Sequence, residues 1–327
     1  MKPFDFQHSA TVEEALQAKN SESAFLGGGT NLLDLMKKHI AQPDTIININ
    51  DAISHRIEEN EIGVVIGAAA TNTAIATSQL VLKKAPLLAK AILKGASPQI
   101  RNMATTGGNM MQRTRCPYFY DVHLPCNKRA PGSGCSAYDG HQRHSAIVGY
   151  SEHCVAVHPS DMCVAMVALD AVVNIKRKDG SESVIRFADF HRLPGDHPQH
   201  DNNLPDQAII TSIVIPKNKL NKHVGYVKIR DRTEYAFALV SVAAAVEKKR
   251  KRIKTVRLSS GGVAHKPWRW REAESYLKGK KPSEKVFQRA AEIVAESTNP
   301  LAHNEFKIPL LKAAVVAALH ESFPSKS

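Results

Sequence analysis

The stretch FLGGGTNLLDLMKK, residues 25–38, leaves the chain few ways to fold. An apolar run ends at Leu26, Gly27, Gly28 and Gly29 follow without a break, and Thr30-Asn31 lead into Leu32, Leu33, Leu35 and Met36. Glycines permit turns and close approaches that a Cβ forbids, and apolar residues at helical spacing come next, so the pattern reads as strand, tight loop and helix. Free amides at a helix start, together with the positive end of the helix dipole, favour a diphosphate. The spacing is neither G-x-x-x-x-G-K-[ST] nor G-x-G-x-x-G, which removes the usual support for a P-loop or a Rossmann fingerprint. Alone, the loop reads equally well as a structural turn. A second glycine element, Ala104-Thr105-Thr106-Gly107-Gly108-Asn109, carries hydroxyl and amide side chains. Two such loops could grip one extended cofactor from two sides.

Elsewhere the pattern alternates between strands and helices. Thr11 and Glu14 have the spacing of a capping box, which starts a helix there. TIININ and GVVIGA read as strands around 45–50 and 63–68, and APLLAKAILKGA, 85–96, as a helix. DMCVAMVALDAVVNIKRKDGSESVIRF reads as an apolar helix, a strand, a turn at Lys178-Asp179-Gly180 and a second strand. The polar KNKLNK stretch, 217–222, marks a domain boundary, followed by a strand pair (YAFALVSVAAAVE and RIKTVRLSSGGVA) and two helices. A chain of 327 residues can bury a substantial core in two or three domains. Its net charge of +13 admits an acidic partner, but the basic residues are scattered. The densest run, Lys248 to Arg252, sits where a hairpin turn is expected, so no nucleic-acid partner is expected. Neither an apolar signal-peptide core nor a membrane span is legible, and the chain reads as soluble, cytoplasmic or periplasmic, with export alongside a signal-bearing partner as one route.

Residues 110–159 break this regularity. They are rich in Cys, His, Pro, Gly and Tyr, and hold Cys116, Cys126, Cys135 and Cys154 at spacing C-x9-C-x8-C-x18-C. In a reducing compartment clustered cysteines point to metal or redox chemistry before disulfides. Four thiolates suit tetrahedral zinc or an iron-sulfur cluster, and both can tie down a loop with little core of its own. Structural zinc sites usually bring close C-x2-4-C pairs, which are absent here; a cubane accepts separated ligands more readily, and spacing alone leaves both open. The fifth cysteine, Cys163, lies in the apolar run MCVAMVAL and reads as a small core residue. The nearby His123, His141, His144, His153 and His158 read as solvent-facing or hydrogen-bonded. Arg113, Arg115, Lys128, Arg129 and Arg143 could offset thiolate charge, or face water or a partner.

Four ordered motifs, FLGGGTNLLDLMK, SPQIRNMATTGGN, HPSDMCVAMVALDA and GGVAHKPWR, resemble those of the FAD-binding (medium) subunits of the xanthine dehydrogenase and aldehyde oxidoreductase family of molybdenum hydroxylases, nearly end to end. The resemblance implies an α+β chain. An FAD-binding domain of the p-cresol methylhydroxylase type, with two subdomains, would span 1–218; a CO-dehydrogenase-flavoprotein-like α+β domain would span 223–325. By motif match, Leu26, Gly27, Gly28, Gly29, Thr30, Asn31, Leu32 and Leu33 would wrap the FAD diphosphate. Thr105, Thr106, Gly108 and Asn109 would form the second loop, Ser160 and Asp161 would add flavin contacts, and Lys228 and Tyr235 would lie beside the isoalloxazine. Without the resemblance, Asp161 reads as a helix cap and Lys228 as a solvated strand lysine.

The departure from shorter relatives is the 52-position separation of Asn109 and Asp161. RTRCPYFYD, PCNKRAPGSGC and SEHCVAVHPSD resemble the insertion in the flavin subunits of three-subunit, periplasmic-type aldehyde oxidoreductases. That resemblance implies a 4Fe-4S cluster on Cys116, Cys126, Cys135 and Cys154, expected to be chiefly structural. It also implies electron transfer through FAD with no catalytic side chain of the subunit's own. The partners would be a large molybdenum-cofactor subunit, which oxidises a substrate such as an aldehyde, and a small 2Fe-2S subunit. Two alternatives stand beside it. A zinc-stabilised basic binding module leaves the paired glycine loops unexplained, and a stand-alone FAD oxidase of the same fold lacks an assignable substrate base or covalent flavin histidine.

Overall fold

Ser23–Leu26 and Thr45–Asn48 are short strands with apolar inner positions, and they pair in parallel. A parallel pair needs a crossover, and the Leu32–Lys37 helix lies on it. Asp5–His8 pairs with the other side of Thr45–Asn48, also in parallel, to complete a three-stranded sheet. The connecting Val12–Ala18 helix carries the full capping box, with Glu14 N–H donating to Thr11 Oγ1 and the Glu14 carboxylate accepting from the Thr11 amide. The computed structural model describes residues 1–323; the last two positions of the expected 223–325 domain lie outside them.

A second, antiparallel sheet has five strands in the order Ile57–Glu59, Gly63–Gly67, Ala208–Pro216, Val172–Arg177, Glu182–Arg186. A third has four, in the order Trp268–Arg269, Arg252–Gly261, Val240–Lys249, His223–Ile229. Its long hairpin turns at Arg250, whose φ is +56°, so the basic run does form an exposed turn. The Glu284–Glu296 and Lys307–Glu321 helices pack against this sheet.

Side-chain alternation along Val240–Lys249 joins the parts. Val240, Val242, Ala244 and Val246 enter one core with the C-terminal helices, while Ala243 and Ala245 enter the other, with both N-terminal sheets. A strand buried on both faces needs a near-continuous apolar run, which VSVAAAV supplies except at Ser241. The Asp161–Ala168 helix is buried at every residue and packs on this strand and on the Pro86–Lys94 helix. The apolarity of every residue after Asp161 follows from having no face to water.

The 110–159 segment forms only helical turns, Pro117–Tyr120 and Ser136–Asp139, and isolated bridges. Its own apolar core is small: Phe119 and Cys126 pack with Leu35 of the Leu32–Lys37 helix, flanked by Cys116 and Tyr120. The insertion therefore rests on the helix that the first glycine loop opens. Where the sequence reads as strand from Tyr235, pairing begins only at Val240, opposite Ile229; residues 231–238 form a turn with Tyr235 at φ +50°.

Candidate functional site

The two glycine loops lie against each other. A Cβ on Gly28 would stand 1.8 Å from the Met103 carbonyl oxygen, and one on Gly27 would stand 2.6 Å from Thr105 Oγ1. Gly29 has φ +71°, a left-handed conformation that favours glycine. Among the described residues, the amides of Gly28, Gly29 and Thr30 donate to no protein acceptor. In the second loop Thr105 Oγ1 accepts from Gly108 N–H at 3.2 Å, capping the Thr106–Met110 turn. Thr106 is fully buried and donates to Ala70 O at 2.9 Å, so its hydroxyl holds the loop and does not face a ligand.

A cavity of about 790 Å³ opens beyond these loops, within the roughly 300–1,000 Å³ usual for cofactor sites. Thr30, Asn31, Gly108, Asn109, Ser160, Asp161, Lys228 and Tyr235 line it. On the other side of Gly108 lies a second cavity of about 700 Å³, lined by Gly27 and Thr105 among others. The side chains of Leu26, Leu32, Leu33 and Thr106, and Gly28 and Gly29, are not in the wall of either cavity.

Four polar atoms at the wall of the first cavity are buried without partners among the described residues: Asn31 Nδ2, Asn72 Oδ1, His158 Nε2 and Ser241 Oγ. Ser160 caps the Asp161–Ala168 helix by accepting from Cys163 N–H, and its hydroxyl donates to Asn109 Oδ1 at 2.5 Å. The cap is thus Ser160. Asp161 instead accepts from Tyr226 Oη at 2.6 Å and from Lys228 Nζ at 2.7 Å. Lys228 is no solvated strand lysine: its side chain is 2% exposed, and its ammonium also reaches Lys94 O at 3.0 Å. Burial, with the Asp161 charge next to it, pushes the Tyr226 phenol well above 10, so Tyr226 remains a donor. Tyr235 sits at the mouth, half exposed, under the Arg232 guanidinium.

The four insertion cysteines face one another. Cys126 and Cys135 form an antiparallel bridge. Burial, then the neighbouring thiols, pushes Cys116 up to about 11 and Cys154 up to about 12; burial raises Cys135 as well. Cys116 interacts with Cys126 and Cys135, and Cys154 with Cys135 and Cys116. Yet no three of these sulfurs lie within 4.8 Å of one another among the described residues. Tetrahedral zinc at about 2.3 Å per bond would bring all four to about 3.8 Å. Cys116 also lines the 790 Å³ cavity, so the cysteine loop and the glycine loops share it.

Comparison with known proteins places this architecture. Residues 2–218 match the family model described as the FAD binding domain in molybdopterin dehydrogenase, and 225–322 the CO dehydrogenase flavoprotein C-terminal domain. The chain is 44% identical over 325 residues to the aldehyde oxidoreductase FAD-binding subunit PaoB of Escherichia coli (strain K12), covering 98% of this chain and 99% of that protein. The chain belongs to the FAD-binding medium subunits of the molybdenum hydroxylases. The glyceraldehyde dehydrogenase medium chain of Sulfolobus acidocaldarius is 27% identical, over 91% of this chain and 89% of its own. The fold matches carbon monoxide dehydrogenase of Hydrogenophaga pseudoflava with a TM-score of 0.76 at 23% identity, covering 98% of this chain and 97% of that one. The α+β fold and FAD binding are those of the family, and the chain is an oxidoreductase subunit of the aldehyde oxidoreductase and CO dehydrogenase type. Among the described residues no helix is long and apolar enough to cross a membrane.

For a flavoprotein medium subunit the site is well matched to its cofactor: unpaired glycine-loop amides, a cavity on either side of Gly108, and orphaned Asn31, Asn72 and Ser241 atoms at the wall. The sequence did not single out Asn72, Ser241 or Phe237, since each reaches the cavity only through tertiary packing. His158 corrects an expectation: it is buried, and its Nε2 has no partner among the described residues. Of the basic residues in the insertion, Arg129 donates to the carbonyls of Tyr118 and Phe119, and Arg143 pairs with Asp231.

Lys128 and Arg113 converge on Asp201, at 2.5 and 2.7 Å, fastening the cysteine loop and the end of the second glycine loop to the polar 194–207 segment. Burial alone would raise the Asp201 carboxyl, but Lys128 and Arg113 hold it down at about 2. A depressed carboxylate contributes stability above its unfolded value near 4 and loses it as pH falls through the folded one. We therefore expect about 2 kcal/mol to disappear between pH 4 and pH 2. Urea midpoints measured across that range should show this step in the native protein and not in Asp201→Asn.

Proposed function

We propose that this chain is the FAD- and 4Fe-4S-bearing electron-transfer subunit of a three-subunit, molybdenum-dependent aldehyde oxidoreductase. A large molybdenum subunit would oxidise the substrate, a small 2Fe-2S subunit would pass the electrons on, and this subunit would deliver them to an external acceptor. Bound FAD supplies the exchange between paired and single electrons, while the protein supplies position and electrostatics. Residues 1–218 form the flavin domain in this reading, with the insertion at 110–159, and 223–325 the C-terminal domain. The amides of Gly28, Gly29 and Thr30 take the diphosphate charge; Ser160 and Asn109, bonded to each other, fix the second loop across from it.

The observation that carries the reading is Cys116 in the wall of the cavity lined by Asn109, Ser160 and Lys228. A loop serving only to stiffen the fold has no need to open there. The cluster is therefore assigned to electron exchange with the flavin as well as to holding the insertion, which goes beyond the chiefly structural role expected from its loop-rich setting. Burial raises the Cys154 thiol, and Lys128 opposes part of that rise; iron binding would displace the proton.

Iron and flavin counted on anaerobically purified protein should give about four irons per FAD. In Cys126→Ser the iron should fall away while flavin stays. Turnover of the assembled enzyme should then be lost at temperatures where the variant remains folded. A variant that loses iron yet turns over normally would remove the electron-transfer role, and zinc in place of iron would favour the binding-module alternative.

A further inference from the structure

Behind the flavin cavity lies a second group of metal-binding side chains that the electron-transfer reading does not use. Ligand atoms of His158, Cys163 and His191 all lie within 4.8 Å of one another, and all three residues are more than nine-tenths buried. Two of their nitrogens, His158 Nε2 and His191 Nδ1, have no partner among the described residues.

The tautomer of His191 is fixed by its surroundings. Its Nε2 lies 2.9 Å from Met110 O, and a carbonyl can only accept, so Nε2 carries the proton and Nδ1 is left as a bare lone pair. An imidazole that donates one N–H to a backbone carbonyl and keeps the other nitrogen as an unpaired lone pair is the arrangement that metal sites use to orient their histidines. Burial, with His265, Lys128 and Arg115 nearby, holds His158 well below its usual value, and burial lowers His191 to about 4. Both rings are therefore neutral ligands at ordinary pH. Cys163 lies in the first turn of the Asp161–Ala168 helix and is wholly buried; burial, with the Asp161 carboxylate close by, raises its thiol, so a bound metal has to displace the proton.

We propose that His158, Cys163 and His191 form a buried, three-coordinate site for a monovalent copper ion. Charge decides the ion. Two neutral imidazoles and one thiolate make a neutral complex with Cu⁺, whereas Zn²⁺ would leave a net positive charge buried beside Lys128 and Arg115. Soft sulfur with imidazole also selects Cu⁺ over harder ions. Binding changes no oxidation state: the Cys163 thiol gives up its proton to solvent as the Cu–S bond forms. His158 lines the 790 Å³ cavity, and the His191 bond to Met110 ties the site to the end of the second glycine loop. The inference does not depend on the substrate or on the iron cluster.

The test is an anaerobic titration of the purified full-length protein, with its flavin and iron in place, using Cu⁺ buffered by bicinchoninate. Cys163→Ala and His191→Gln are titrated in parallel; the glutamine amide can still donate to Met110 O. The native protein should take up one more Cu⁺ per chain than either variant, and its copper X-ray absorption should show one sulfur and two nitrogens. Comparison with the variants cancels any copper taken by the four insertion cysteines. Equal uptake by all three proteins would overturn the proposal and leave the pocket to an ordered water. Zn²⁺ retained in preference to Cu⁺ would overturn the choice of ion. If Cys163→Ala fails to fold, His191→Gln and Cys163→Ser carry the same comparison.

Discussion

Gly28→Ala is expected to be purified with little or no FAD. A methyl group there would be built 1.8 Å from the Met103 carbonyl oxygen and 2.5 Å from its carbonyl carbon. Backbone atoms cannot turn aside as a side-chain tip can, so the two glycine loops must move apart. In the proposed function their separation sets the fit of the cofactor, because the unpaired amides of the first loop and the Thr105–Asn109 turn of the second would hold one diphosphate between them. Gly108, by contrast, would meet only Thr105 Oγ1, at 3.0 Å, a side-chain atom that can shift. Flavin absorbance per chain should therefore fall by at least about tenfold in Gly28→Ala, equivalent to 1.4 kcal/mol or more of lost binding free energy, and by less in Gly108→Ala. Circular dichroism should show the rest of the chain folded, since the large cores do not include this contact. A Gly28→Ala protein that retains full flavin would mean that the loops are free to separate, and the close-packed cradle would be wrong.

The contrast between those two glycines shows what could be read from the sequence. Three glycines after an apolar run and before a helical pattern state that the backbone turns sharply; the reason lies within a few residues, so it is legible. Which glycine is irreplaceable depends on Met103, 75 positions away, and is not. Thr106 is a similar case, because a threonine in such a loop suggests a ligand contact, yet tertiary packing turns its hydroxyl to Ala70 O. The four cysteines stand out in the sequence as a group, but that Cys116 reaches the wall of the 790 Å³ cavity does not. Cys163 behaves as the small core residue its apolar run suggests, at 0% exposure. What the run could not reveal is that His191, from a loop 28 positions on, packs beside it. The strand expected from Tyr235 begins at Val240 because residues 231–238 are held by Arg232, which donates to Tyr235 O, and by the left-handed backbone at Tyr235. Local propensity sees the apolar residues there and misses the turn.

The same kind of long-range pairing makes Lys228→Met the most costly single change expected in the protein's stability. Lys228 and Asp161 are 67 positions apart, and the ion pair they form has side chains 2% and 7% exposed. Water is nearly excluded, so each charge depends on the other. Removing the lysine leaves a buried carboxylate with one neutral donor, Tyr226, while a methionine of similar length fills the space. Breaking a buried pair from one side costs about 3–5 kcal/mol, whereas replacing both partners by neutral groups can cost far less. Denaturant unfolding of Lys228→Met, Asp161→Asn and the double variant should therefore be strongly non-additive, with the double variant more stable than the sum of the two single losses by at least about 1.5 kcal/mol. Additive losses would show that the two charges are independently solvated. Flavin retention adds a second readout. Asp161 begins the helix whose Ser160 cap holds Asn109, so a displaced carboxylate pulls on the second glycine loop, and FAD affinity should fall in the single variants and recover in part in the double. Recovery of stability without recovery of flavin would instead place one of the two side chains in direct contact with the cofactor.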